Sequence, residues 1–288
     1  MRIVRTVQDL RAALVGDQKA GLRIGLVPTM GALHDGHLSL IQAARRGCDI
    51  VVVSVFVNPT QFSDAADLQA YPRDEERDAA LAAAAGADLL FCPEPAEMYP
   101  AGYSTTVGVR GVSEPLEGEH RGAVHFDGVA TVVAKLLIAV GPDVAYFGQK
   151  DAQQVAVVRR LVSDLGLPVA IETCPTVREP DGLAMSSRNA RLSAEDRPRA
   201  LALKSGLDAV AAAVAAGAGP RDAEFAGRAR MLEVGVEPEY LVLVDPDTFS
   251  PAIDTSRQGL AAVAAQVGAV RLIDNLQIPP TNGSKEHN

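Results

Sequence analysis

The chain has 288 residues, 48% of them apolar and 22% charged, with a net charge of −9 at pH 7. This is enough chain and apolar content for one large or two ordinary domains, each with its own core. The negative charge excludes a general nucleic-acid-binding surface, so any phosphate ligand must be held by a local cluster of positive groups and amides.

No run reaches the roughly 18 uninterrupted apolar residues of a membrane span. The opening residues, Met1-Arg2-Ile3-Val4-Arg5, lead into a helix-like pattern and not into a signal sequence. Cys48, Cys92 and Cys174 are far apart and odd in number, which reads as buried free thiols in a reducing cytoplasm.

In chain order, residues 22–27, 50–56, 88–91, 143–147 and 169–173 read as buried strands. Residues 38–46, 75–85, 128–140 and 152–165 read as helices between them. Such alternation predicts a Rossmann-like α/β fold, a parallel sheet with helices on both faces, over residues 1–175. Ligands in such sheets bind beyond the carboxyl ends of the strands. After Pro175 the texture changes. Two alanine-rich helical stretches, 194–216 and 221–234, precede strand-like runs at 240–244 and 269–274, with 261–264 a further candidate. This predicts a smaller α+β domain over 176–278, and the polar tail 279–288 reads as disordered.

Beyond the first strand lies Pro28-Thr29-Met30-Gly31-Ala32-Leu33-His34-Asp35-Gly36-His37. His34 and His37 fall at the first turn of a helix, where backbone N–H groups already favour an anion, and each imidazole offers a further donor. Two such histidines could also begin a zinc site, but no third ligand is suggested nearby. Phosphate contact is the better reading. Asn58-Pro59-Thr60-Gln61 follows the next strand and places two amides at the sheet edge, although Asn-Pro also simply marks a turn. Gly148-Gln149-Lys150-Asp151 follows a later strand. Lys150 there suits a transferring phosphoryl group, while Asp151 also reads as a plain N-cap; Gln154 lies one turn on, on the same side. In Met185-Ser186-Ser187-Arg188, two hydroxyls and a guanidinium suit a polyphosphate on a loop able to close over it; the alternative is a capping turn before a helix.

The His-x-x-His sequence followed by the Met-Ser-Ser-Arg loop resembles the nucleotidylyltransferase superfamily, which includes the class I aminoacyl-tRNA synthetases. Five stretches resemble the pantoate–β-alanine ligase family more closely: residues 28–37, 56–62, His125-Phe126-Asp127-Gly128-Val129, 147–151 and 181–189. The resemblance implies ATP-dependent condensation of pantoate with β-alanine through a pantoyl adenylate. It implies that His34, His37, Lys150, Ser186, Ser187 and Arg188 contact the ATP phosphates. Met30, Gly148, Asp151, Val177 and Met185 would belong to the nucleotide site. Gln61, Gln154, Asn58 and Arg121 would serve pantoate, with Pro28 and Met30 on its gem-dimethyl carbon. It further implies Mg²⁺, with Asp78 near it, and a homodimer. The chain departs from the family pattern at Gln149 and Arg77, where carboxylates are usual, and at the spacing of Arg121 from His125. Two rivals are a nucleotidylyltransferase for a phosphorylated acceptor, which would need more basic residues, and a non-catalytic nucleotide sensor. A tRNA synthetase fits least, because the chain is short and acidic.

Overall fold

The computed structural model describes residues 1–62 and 65–281. The chain divides into two units. One comprises Met1–Gln149 and Gln153–Pro175; the other comprises the turn Lys150–Ala152 and the chain from Thr176. Of the tail expected to be disordered, the part from residue 282 onward lies outside the described residues.

The first unit is built on strands β1 (Arg2–Val4), β2 (Ile24–Thr29), β3 (Ile50–Val55), β4 (Leu89–Phe91), β5 (Val144–Gly148) and β6 (Ala170–Cys174). They form one sheet in the order β1-β4-β3-β2-β5-β6, and every pairing is parallel. The sequence reading missed β1. It is a three-residue edge strand with only Val4 buried, too short to show a periodicity. The other strands fall within two residues of expectation.

The order reverses between β2 and β5, which makes their carboxyl ends the topological switch point. These strands pair only at Gly25↔Val144 and Leu26↔Ala145, whereas β2 stays paired with β3 as far as Thr29↔Val55. Pro28 therefore sits where β2 has already parted from β5, and its missing N–H costs the sheet no ladder bond. One side of the core packs Val27, Leu33, Ile41, Val51, Val53, Ala82 and Leu90. The helix Ala123–Val140 starts earlier than the predicted residue 128. It is long and apolar enough to cross a membrane, but 67% of it is buried inside the protein, and it serves here as a core helix. Gly128 lets this helix approach the 3₁₀ turn Pro59–Gln61: a Cβ there would lie 2.6 Å from the Thr60 carbonyl oxygen.

The second unit contains an antiparallel sheet of β7 (Pro238–Val244), β8 (Gly259–Val267) and β9 (Val270–Ile278), in that order. β8 is a full nine-residue strand where the sequence suggested only four residues. Its alanines have little strand propensity, and pairing on both edges overrides that preference. The single helix expected over 194–216 is divided into Asp196–Ala200 and Ala202–Ala215, with Leu201 capping both. The second alanine-rich helix runs Pro220–Leu232. Leu203, Leu207, Val210, Met231, Leu241, Val263 and Leu272 fill the core between helices and sheet.

Candidate active site

The loop leaving β2 is shaped by a carboxylate. Gly31 and Ala32 both adopt positive φ, 85° and 51°. This left-handed pair turns the N–H groups of Ala32 and Leu33 onto the two oxygens of Asp78, each at 2.8 Å. Thr29 Oγ1 donates to Ser54 O at 2.7 Å and accepts from Gly31 N at 3.2 Å, which closes the turn from the other side. Positive φ at a non-glycine residue costs on the order of 1 kcal/mol, and two bonds to a buried carboxylate offset that cost.

The turn delivers His34 as N-cap of the helix Asp35–Gly47, which begins before the expected residue 38. His34 Nδ1 accepts from Gly36 N at 3.2 Å, and His37 Nδ1 accepts from His34 N at 3.4 Å, a reciprocal capping box made by two imidazoles. The rings lie 4.1 Å apart between centroids. With each Nδ1 used as an acceptor, the neutral tautomer of each ring carries its proton on Nε2. Both histidines thus present a ring donor beside the N–H groups of the helix start, an arrangement suited to phosphate oxygens. Gly36 also makes room for the His34 ring, since a Cβ there would lie 2.9 Å from it.

The two amides after β3 have different tasks. Asn58 is 1% exposed, and its amide nitrogen donates to Gln61 Oε1 at 3.0 Å and to Gly128 O at 3.1 Å. Its oxygen accepts from Thr60 N, Thr60 Oγ1 and Tyr99 Oη. Asn58, expected at the substrate, is fully engaged inside the protein. Gln61 is half-buried, with its Nε2 3.1 Å from Met30 Sδ, so the fold brings Gln61 and Met30 together. Pro28 is likewise partly accessible at the end of β2. His125, to which sequence reasoning gave no role, holds Gln61 in place by donating from Nδ1 to its carbonyl at 2.8 Å.

β5 ends at Gly148, where a Cβ would meet no atom within 4 Å. The 3₁₀ turn Gln149–Asp151 then leads directly into the helix Ala152–Leu165. Gln154 is partly buried on the first turn of this helix. Its neighbour Gln153 is 5% exposed and ties the preceding loop: its amide donates to Val112 O and Pro115 O and accepts from Glu117 N. The loop leads into the short helix Glu117–Arg121, in which Arg121 Nε donates to Glu117 Oε2 at 2.8 Å. The first use of the Arg121 guanidinium is thus an internal ion pair.

In the second unit, Lys150 Nζ lies 3.4 Å from Asp151 Oδ1, and Asn275 donates to Lys150 O at 2.9 Å. Ser186 caps the 3₁₀ turn Ser187–Arg191 by accepting from Arg188 N, so the capping reading of this motif is geometrically correct. The segment before it is strapped down. Arg178 makes a two-pronged contact with the buried Asp274 at 2.7 and 3.0 Å, and Met185 N donates to Val177 O at 2.9 Å. Arg197 bonds both Glu179 and Asp181, and Asn189 donates to Glu179. Ser186, Ser187, Arg188, Val177 and Met185 therefore stand on a preformed turn and not on a free flap. The Arg197 guanidinium holds the carboxyls of both Glu179 and Asp181 below their ordinary range.

Asp78 does not fit the expected metal site. It is 1% exposed and its oxygens are taken by backbone N–H groups, while the Arg77 guanidinium stands 3.8 Å away. Among the described residues no three His, Cys, Asp or Glu side chains are grouped to hold an ion. A thiol nucleophile is also disfavoured: burial pushes Cys92 up to about 12 and Cys174 above its usual value.

The family model described as pantoate-beta-alanine ligase matches residues 2–277. The chain is 54% identical to a pantothenate synthetase of Chelativorans sp. over 277 residues, 96% of this chain and 97% of that one. It is 53% identical to one of Cereibacter sphaeroides, covering 96% and 99%. Among solved structures it resembles the pantothenate synthetase of Thermus thermophilus, with a TM-score of 0.92 and 48% identity over 97% of this chain and 100% of that one. It also resembles the pantoate-beta-alanine ligase of Francisella tularensis complexed with beta-gamma ATP and beta-alanine, at TM-score 0.79 and 33% identity, covering 96% and 97%.

Asp78→Ala leaves the buried Leu33 N–H and the partly buried Ala32 N–H unbonded and should cost about 1–3 kcal/mol for the first and less for the second. Urea unfolding should show this loss, with the Mg²⁺ concentration for half-maximal activity unchanged; unaltered stability with a shifted Mg²⁺ requirement would restore a metal role. A second expectation concerns acid. The depressed carboxyls of Glu179 and Asp181 contribute stability above the ordinary carboxylate pKa near ~4 and lose it as pH falls through their lower folded values. Arg197→Met should therefore lower stability at neutral pH and flatten its decline below about pH 4. Parallel declines in both proteins, followed by thermal melts against pH, would refute the linkage.

Proposed function

The chain belongs to the pantoate–β-alanine ligase family, and from that premise we propose which of its residues carry the ATP-dependent ligation. The supporting observation is the imidazole capping box, which seats two histidines at one helix N-terminus beyond β2, each with Nδ1 accepting a backbone N–H. The pantoate carboxylate attacks the α-phosphorus of ATP and pyrophosphate leaves. The amine of β-alanine then attacks the acyl carbonyl of the adenylate and AMP leaves. His34, His37, Lys150, Ser186, Ser187 and Arg188 stabilise charge on the phosphates, and Gly148, Asp151, Val177 and Met185 line the nucleoside. Gln61 and Gln154 hold pantoate over Pro28 and Met30. Catalysis rests on alignment and charge stabilisation, without a covalent enzyme intermediate.

The first unit supplies the histidine pair and the pantoate residues, and the second supplies Lys150 and the Ser186–Arg188 turn. Arg121 is assigned to pantoate through guanidinium nitrogens other than the Nε bonded to Glu117. Mg²⁺ accompanies the nucleotide, since the donor set around Asp78 does not fit it. The enzyme works in the cytoplasm, which suits three buried free thiols. It does so as a homodimer, for which sedimentation velocity at micromolar concentration should read twice the chain mass.

His34→Ala and Lys150→Ala should each reduce pantoate-dependent pyrophosphate–ATP exchange by about 10²–10³-fold. The circular dichroism spectrum should be retained, with up to about 1–2 kcal/mol of stability lost in His34→Ala from the missing cap. Near-normal exchange in either folded variant would refute its assignment.

A further inference from the structure

Two backbone groups of fixed polarity determine which way the Asn58 amide faces. Gly128 O can only accept, so it takes the amide nitrogen at 3.1 Å; Thr60 N can only donate, so it takes the oxygen at 3.4 Å. With Asn58 oriented, its second N–H meets Gln61 Oε1 at 3.0 Å. The oxygen of Gln61 is thereby engaged inside the protein, and its nitrogen is turned to the Met30 side. Gln61 thus meets a ligand as a donor, the polarity that recognises a carboxylate or hydroxyl oxygen.

The shortest bond in this network comes from a residue outside every motif singled out in the sequence. Tyr99 Oη donates to Asn58 Oδ1 at 2.7 Å and lies 3.3 Å from Thr60 Oγ1. Its ring is held by Tyr103, edge-on at 5.1 Å between centroids, and by Phe56 at 6.2 Å. The Lys135 ammonium stands 4.8 Å from the Tyr103 ring centroid and 5.8 Å from that of Tyr99. Burial pushes the Tyr99 phenol above its usual value, so it remains a proton donor at neutral pH.

We infer that Tyr99 is a positioning residue for the acid substrate: its hydroxyl, acting through the buried Asn58 amide, holds Gln61 with its N–H groups toward the bound hydroxy acid. The inference rests on the reading that Gln61 contacts pantoate, and the test separates the two. Michaelis constants for pantoate and for ATP are measured by pyrophosphate–ATP exchange in Tyr99→Phe, Gln61→Ala and the double variant. KM does not depend on the fraction of folded enzyme. Tyr99→Phe should raise KM for pantoate about three- to ten-fold, the range of one lost hydrogen bond, and leave KM for ATP unchanged. In the Gln61→Ala background it should raise KM for pantoate no further, because the group it positions is gone. Asn58→Asp, which still accepts from Tyr99 but cannot donate to Gln61, should raise KM for pantoate at least as much; it decides the matter if Tyr99→Phe does not fold. An effect of Gln61→Ala on KM for pantoate with none in Tyr99→Phe and Asn58→Asp would overturn the positioning role alone. The same rise from Tyr99→Phe with and without Gln61 would also overturn it. No effect of Gln61→Ala would overturn the pantoate reading of Gln61, and the inference with it.

Discussion

A carboxylate removed from water must have its oxygens bonded, and Asp78 meets that demand with the N–H groups of Ala32 and Leu33. The rest of the site hangs on this contact. It holds a left-handed pair of residues at the end of β2, turns the chain back toward the sheet, and delivers His34 to the cap of the next helix. Without that turn the two imidazoles would not sit over the same helix start. The geometry explains why an acid near the expected metal position is structural: its lone pairs are committed to the backbone before any ion arrives.

The histidine pair has two tasks that support each other. As caps, both Nδ1 atoms accept backbone N–H groups that would otherwise lack a partner in the first turn. That bonding selects the tautomer with hydrogen on Nε2, the form that donates to a phosphate oxygen. Helix initiation thereby fixes the ring tautomer that the proposed phosphate contact needs. A comparable double use operates at the carboxyl end of β3, where Asn58 satisfies the turn that follows and in doing so fixes the polarity of Gln61.

Charge is distributed to match. The chain is acidic overall, with a net charge of −9. Arg178 and Arg197 neutralise the carboxylates around the turn that presents Ser186, Ser187 and Arg188. The Arg197 pairs are partly exposed and individually contribute little to stability, whereas Arg178 compensates the buried Asp274 carboxylate. Their combined effect is to remove conformational freedom from the segment that leads to the Ser186–Arg188 turn.

The sequence by itself determined the alternation of strands and helices, the parallel sheet and the location of His34, His37, Lys150 and the Ser186–Arg188 turn. These follow from local rules: hydrophobic period, glycine and proline punctuation, and residue chemistry at strand ends. Tertiary structure decided what depends on partners distant in the chain. β1 exists because β4 lies beside it, and β8 because β7 and β9 flank an alanine run with no strand preference of its own. Asp78 and Asn58 carry side chains that suit a ligand equally well. Only the fold, by placing Leu33 N and Gly128 O against them, commits those polar atoms to the protein. A polar side chain advertises its donors and acceptors in the sequence, but which of them remain for a substrate is settled by neighbours that arrive from elsewhere in the chain.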